Sequence, residues 1–443
     1  MGEFTHNSVV IIGAGIFGLS TALAIADRHP ATQITVVDRA TPPVEDGTSV
    51  DTTRCIRADY ADPIYAKLAE KAQQEFENDP ELSKYYFKQG MSFVTDGKPG
   101  PMLDVWNRGL VNIKRDPSVL IQTETPEAVY QQIHGKDANI VPLKNLTQPR
   151  KWNRGYCNLQ DAFVDAKEII RVYYERCLSR PSISFECGVP VEQILKQDGR
   201  ARGVLLANGK EIIADLTLVA AGAWSPKLID LEGLVNSSAI EVAWLKVTDE
   251  EVKRWGNMSI TTNLSTGFNL FPPYKGEIKC LRRSAGYKNT VSIPHPENPS
   301  KIIQTSLPRT IVTNPTDMIP AEAEAALREN LREIMPQLAD RKFDRTKLCW
   351  LTQTQSADFI IAPYPSIQDL HVATGGSAHA WKFLPIIGGF VLDSMIGNLD
   401  PKLAAKWAYA PKGADGGSSP RMGGNAQELR EFVRSSQIAR SML

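Results

Sequence analysis

The chain has 443 residues, too many for one small domain and enough, at roughly 150 residues per unit, for two or three. Lys and Arg total 50 and Asp and Glu total 50, so the formal charge is zero. That balance argues against a dominant nucleic-acid or anionic-membrane surface, both of which want a basic excess. With 42% hydrophobic, 8% aromatic and 23% charged residues the composition is that of an ordinary globular protein. The longest apolar stretches, such as Phe383 to Leu392, fall short of the ~20 residues that span a bilayer. Met1 to Ser8 includes a glutamate and leads straight into a glycine motif, so no cleavable leader is expected. Cys55, Cys157, Cys177, Cys187, Cys280 and Cys349 are scattered without metal-ligand spacing, and the six histidines are dispersed. Free thiols in a reducing compartment fit this pattern, and no metal site is expected.

Ser8 to Ile12 (SVVII) reads as a strand buried on both faces. It runs into Gly13-Ala-Gly15-Ile-Phe-Gly18 and then an apolar helix. A second strand, Gln33 to Val37, ends in Asp38, twenty residues after Gly18. Gly13 permits a tight turn, Gly15 lets the backbone approach a pyrophosphate, and Gly18 allows the helix to pack closely on the strand. The helix N-terminus faces phosphate, and Asp38 is placed to hold a ribose hydroxyl, which disfavours a 2′-phosphate. Strand, helix, second strand and acid in register point to dinucleotide binding. On this motif alone FAD and NAD both remain open.

Further along, Gln160 to Cys177 reads as a helical stretch. Ser182 to Glu186 and Val189 to Leu195 alternate as strands, and Gly203 to Ala207 with Glu211 to Ile213 flank an Asn208-Gly209 hairpin turn. Leu216 to Ala220 ends in the small-residue turn Ala221-Gly222-Ala223-Trp224-Ser225-Pro226, which lets backbone come near a flat cofactor. Ile240 to Ser306 suggests an antiparallel sheet. Pro320 opens a helix at its first turn. Cys349 lies in an apolar run, and the strand Leu370 to Ala373 runs into a glycine-rich loop. Ala414 to Gly424 reads as a Gly/Ser-rich linker before an amphipathic tail helix. The expected fold is α/β: a Rossmann-like nucleotide domain, parallel sheet plus helices, interleaved with an antiparallel β-rich domain.

Six segments in order carry a resemblance: GAGIFGLSTA at 13–22, DTTRCIRADY at 51–60, AGAWSP at 221–226, GEIK at 276–279, CWLTQT at 349–354 and GGSAHAWKFLP at 375–385. Across roughly residues 8 to 400 the chain resembles the FAD-dependent amine oxidases of the sarcosine oxidase type. That group includes the fungal fructosyl-amino-acid oxidases (amadoriases) and the saccharopine and pipecolate oxidases. The resemblance implies a discontinuous FAD-binding domain from 1–60, 151–226 and 341–400, and a substrate-binding domain from 61–150 and 227–340, with 401–443 as linker and tail.

The resemblance also implies roles. Cys349 takes the position of the cysteine bonded to the flavin, and Lys382 follows it by 33 residues, as the family pattern expects. Lys382 corresponds to a lysine that binds the substrate carboxylate and Arg57 to a second carboxylate-binding or active-site gating arginine, and two such cations suit an amino acid and not a neutral hydrocarbon. Lys279 matches the lysine that activates oxygen, where an ammonium stabilises the negative charge developing on O2. The implied FAD-binding set is Gly13, Gly15, Ile16, Phe17, Gly18, Asp38, Arg39, Ser49, Asp51, Thr53, Arg54, Val191, Ala221, Gly222, Trp224, Cys349, Gly376, Ala378, His379 and Lys382. No catalytic base is required if the amine enters neutral and loses hydride from its α-carbon, and His379 reads as a structural hydrogen-bonding group.

Three departures bear on substrate. Lys406-Trp-Ala-Tyr-Ala-Pro411 has alanines where amadoriases carry arginines, Ser49 to Arg54 matches their flavin-loop pattern imperfectly, and Ala378 replaces a glycine. A secondary amine on an amino-acid scaffold therefore fits better than a sugar adduct. A fructosyl-amino-acid oxidase and a flavin dehydrogenase using a carrier in place of O2 are the alternatives. The expected partners are a small amine and O2, nothing demands more than a monomer, and Ser441-Met442-Leu443 only loosely resembles a peroxisomal address. Peroxisomal and cytoplasmic placement both stay open.

Overall fold

A computed structural model describes residues 4–98, 107–110, 112, 118–135, 138, 150–315, 319–410 and 425–432. Ser8–Ile12 lies inside a six-stranded sheet, parallel to Gln33–Asp38 on one side and Leu216–Val219 on the other. Ile183–Cys187 and Leu370–Thr374 extend it in parallel, and Ile360–Pro363 closes one edge antiparallel. The unbroken apolar run of the first strand follows from this position. Val9 and Ile11 pack with the helices Ile16–Arg28, Ala166–Leu178 and Leu384–Met395. Val10 and Ile12 pack on the opposite face, against the small sheet of Val191–Gln197, Arg200–Leu206 and Glu211–Ile213.

The second half is a ten-stranded sheet. Its long strand Val235–Lys246 pairs antiparallel with Glu277–Arg282 and with Arg345–Thr354, the strand of Cys349. Side chains alternate across it. Ala239, Ala243, Ile278, Cys280 and Trp350 pack on helix Ala321–Ile334. Ile240, Val242, Leu281, Cys349 and Leu351 occupy the other face.

Five expectations need adjustment. The helix expected from Gln160 starts only at Ala166, because Asp165 caps it by accepting from the Glu168 amide at 3.1 Å. Ala162–Val164 before it is a strand paired with Arg54–Ile56. The stretch 61–150 is not simply β-rich: helix Pro63–Asn78, capped by Asp62, buries Tyr65, Ala69 and Phe76 in the core of the first half, a cap contributing about 1 kcal/mol. The region 240–306 contains helix Asp249–Trp255, started by a Thr248/Glu251 capping box, and its strand Ile260–Asn263 pairs parallel with Met91–Thr95. The Cys349 strand belongs to the ten-stranded sheet although it lies within 341–400. After 425 the chain begins with a strand, Gln427–Glu428, beside Tyr287–Lys288, before residues 429–432 turn helical. The Gly/Ser-rich stretch 414–424 and the terminal Ser441-Met442-Leu443 lie outside the described residues. Among the described residues no helix is long and apolar enough to cross a membrane.

Candidate active site

The glycine turn is dictated by sterics. Gly13 has φ +107°, and a Cβ there would stand 2.5 Å from the Ala220 carbonyl oxygen. A Cβ on Gly18 would stand 1.8 Å from the Gly13 carbonyl oxygen, so helix and strand could not approach. Asp38 pins the turn, its carboxylate accepting from the Ala14 amide at 2.8 Å and the Ala40 amide at 3.2 Å. Burial pushes the Asp38 carboxyl upward against these bonds.

Two adjoining cavities open from this turn. The first is walled by Gly13, Gly15, Asp38, Arg39, Ser49, Val191, Ala221, Gly222 and Trp224. Arg39 lies 4.3 Å from the Trp224 ring centroid and pairs with Asp46. The second is walled by Gly15, Ile16, Phe17, Ser49, Arg54, Arg57, Gly222, Cys349, Gly376, Ala378, His379 and Lys382. Gly15, Thr48, Ser49, Ala220, Gly222 and Ala223 border both. A long cofactor with a phosphate middle and a flat end matches this pair of cavities meeting at a glycine cradle that a Cβ would fill.

Gly18, Asp51, Thr53 and Lys279 line neither cavity. Lys279 is buried just behind the second one. Its ammonium contacts Asp51 at 2.7 Å, donates to the Thr53 carbonyl at 2.6 Å and stands 4.7 Å from the Phe271 ring centroid. Asp51 also pairs with Arg54, whose guanidinium reaches the Cys349 sulfur at 3.7 Å. Burial works to raise the Asp51 carboxyl, and the Arg54 and Lys279 cations overcome it, holding the acid well below the usual range. Burial dominates at Lys279 and pushes its ammonium down to about 8, with Asp51 opposing.

Lys382 and Arg57 face the same cavity from different elements. Arg57 is 6% exposed and donates to the Asp59 carbonyl. Lys382, 5% exposed, donates to the Tyr60 hydroxyl at 2.8 Å and the His379 carbonyl at 3.2 Å. The loop before it is strained, with Ser377 at φ 46° and Ala378 at φ 59°. Ser377 fastens the loop to the Cys349 strand: its amide donates to the Thr352 carbonyl at 2.9 Å and its hydroxyl accepts from the Thr354 amide at 3.1 Å.

The sequence reading missed Tyr60, Asn269 and Arg283. Tyr60 sits inside the quoted DTTRCIRADY run. Arg283 and Asn269 were findable by period-2 counting: Lys279, Leu281 and Arg283 share one face, and Asn269 is the register partner of Leu281. Both line the second cavity, and the Asn269 Oδ1 has no hydrogen-bond partner among the described residues. None of Lys406, Trp407, Ala408, Tyr409 and Ala410 lines it. Instead Lys406 pairs with Asp62 and Asp358, and the Trp407 indole donates to the Tyr65 hydroxyl at 3.0 Å. Among the described residues no group of three or more His, Cys, Asp or Glu could hold a metal ion.

Over its length the chain is similar to the L-saccharopine oxidase of Schizosaccharomyces pombe, at 29% identity over 91% of this chain and 93% of that protein. It is similar to the monomeric sarcosine oxidase of Bacillus sp. at 24% identity over 87% and 91% of the two chains. The solved fructosyl peptide oxidase from E. terrenum superposes with a TM-score of 0.86 at 24% identity, covering 97% of each chain. Residues 8–393 match the family described as DAO: FAD dependent oxidoreductase. A glycine cradle on a central parallel strand and a family match running through Lys382 agree, and the chain belongs to the DAO family of FAD-dependent oxidoreductases.

Proposed function

We propose that this oxidoreductase oxidises a secondary amine on an amino-acid scaffold, with covalently held FAD and with dioxygen as the final acceptor. The observation that carries the reading is the composition of the second cavity. Its described lining contains Arg54, Arg57, Arg283 and Lys382 but no aspartate or glutamate, and Cys349 opens into the same space. A field of that sign recruits a carboxylate.

The first cavity would hold the nucleotide end of FAD, with Gly13, Gly15 and Ile16 toward the pyrophosphate and Asp38 toward a ribose. Cys349 would tether the ring end, with Arg54 beside the sulfur. When bound, FAD would supply a hydride acceptor for the substrate α-carbon and a route for its two electrons to O2, which would leave as hydrogen peroxide. The chain does the rest. Arg57 and Lys382 bind the carboxylate with charge-assisted hydrogen bonds and so orient the α-carbon. Ile240, Val242, Phe271, Leu281 and Leu351 exclude water, which favours the neutral amine. Once the α-carbon has lost hydride, the imine is hydrolysed by water to an amine and a carbonyl compound. Lys279, paired with Asp51, supplies the positive charge that steadies the negative charge developing on oxygen as it is reduced.

Arg283 and Asn269 favour, within this class, a substrate with a further acidic or polar group, such as saccharopine, over sarcosine. The alanines at 408 and 410 speak against a fructosyl-amino acid. The test is peroxide release against sarcosine, N-methyl aromatic amino acids, pipecolate, saccharopine and fructosyl-amino acids. Peroxide in a one-to-one ratio to amine consumed supports the oxidase. Amine consumption that requires an added electron carrier overturns it in favour of a dehydrogenase. Arg283→Gln should lower kcat/KM for saccharopine by about tenfold or more and leave pipecolate within about threefold.

A further inference from the structure

Four donors and acceptors running back from Lys382 form one line. Lys382 Nζ lies 2.8 Å from the Tyr60 hydroxyl oxygen, that oxygen lies 2.9 Å from His379 Nδ1, and His379 Nε2 lies 2.7 Å from the Ala357 carbonyl oxygen. Chemistry fixes both ends of the line. An ammonium only donates, so the Tyr60 oxygen accepts from Lys382. A carbonyl only accepts, so His379 carries a proton on Nε2. In the neutral imidazole with its proton on Nε2, Nδ1 is bare and accepts from the Tyr60 hydroxyl, which donates there while accepting from Lys382.

Tyr60 touches both cations of the proposed clamp. Its hydroxyl accepts a hydrogen bond from Lys382, and its ring centroid lies 5.2 Å from the Arg57 guanidinium carbon. The ring is 3% exposed and stacks on Tyr65 at 5.6 Å, and His379 is caged by Tyr65, Phe359 and Phe383. The anchor is held hard, since Ala357 sits at φ 63°. We propose that Tyr60 and His379 are positioning residues: the line Ala357 carbonyl–His379–Tyr60 sets where the Lys382 ammonium stands beside Arg57, and so tunes affinity for a carboxylate. This rests on the carboxylate-clamp reading above.

The experiment titrates the flavin-loaded protein with 2-furoate and with 2-furamide, which match in shape and differ in charge, following the visible flavin bands. Wild type should respond to 2-furoate more tightly than to 2-furamide. Tyr60→Phe should weaken 2-furoate by about tenfold or more and leave 2-furamide unchanged. His379→Leu should match Tyr60→Phe, and the double variant should be no weaker than either, because one line is broken once. His379→Asn places a side-chain acceptor where Nδ1 was and should restore affinity to within about threefold of wild type. Tyr60→Phe binding 2-furoate like wild type overturns the positioning role, as does an equal loss for 2-furamide or a failure of His379→Asn to rescue. A wild-type protein indifferent to 2-furoate overturns the clamp itself.

Discussion

Lys279 and Lys382 are both almost fully buried, at 2% and 5% exposure, and their surroundings differ in kind. Lys279 contacts a carboxylate, Asp51, which it shares with Arg54. Lys382 is held by two neutral oxygens, the Tyr60 hydroxyl and the His379 carbonyl. A cation beside an acid has much of its field cancelled locally. Lys382 lines the cavity, whereas Lys279 stands behind its wall. Burial alone therefore does not give a lysine its task. The sign of its neighbours matters too, and the proposed division between an oxygen-activating Lys279 and a carboxylate-binding Lys382 rests on that contrast.

The largest expected effect is all-or-none. Cys349→Ser should release the yellow colour on acid denaturation, whereas the wild-type polypeptide should retain it; a wild-type protein that also loses its colour refutes the tether. Next, Asp51→Asn strands Arg54 and Lys279 without their shared acid. Global stability should fall by about 3–5 kcal/mol, read by denaturant titration. Because the folded-state Asp51 is depressed, its contribution is fully present above the unfolded value near ~3.9 and is lost as pH falls toward the folded one. The stability of Asp51→Asn should accordingly vary less with acid.

Lys279→Met should slow reoxidation of the reduced enzyme by about 10²- to 10³-fold while leaving anaerobic reduction by substrate nearly unchanged. Equal loss in both half-reactions would remove the distinction between the two lysines. A milder form uses pH. The Lys279 ammonium persists below about 8, so wild-type reoxidation should be flat at neutral pH and decline above that value, and Lys279→Met should lack the decline. The smallest effect concerns the loop that carries His379 and Lys382. Ala378 at φ 59° is strained, so Ala378→Gly should raise stability by up to about 1 kcal/mol, measured as a higher midpoint.

The first strand, the glycine turn and the following helix were readable because each is a local matter: a fully apolar run needs two covered faces, and Gly13 and Gly18 answer to atoms a few ångströms away. The period-2 pattern likewise placed Arg283 within reach of counting, though only pairing with Phe268–Leu270 shows what it faces. Helices Pro63–Asn78 and Asp249–Trp255 were announced by Asp62-Pro63 and by Thr248 with Glu251, short signals that a search for strands passes over.

From residue order alone came the parallel nucleotide-binding half, the family, and the nomination of Cys349, Lys382, Arg57 and Lys279. Residue order could not show that Lys279 stands behind Asp51 or that Tyr60 links Lys382 to His379, 319 positions away. Local signals depend on neighbours in the chain, whereas the proton direction of a hydrogen-bonded line and the balance of a buried charge depend on atoms that only folding brings together.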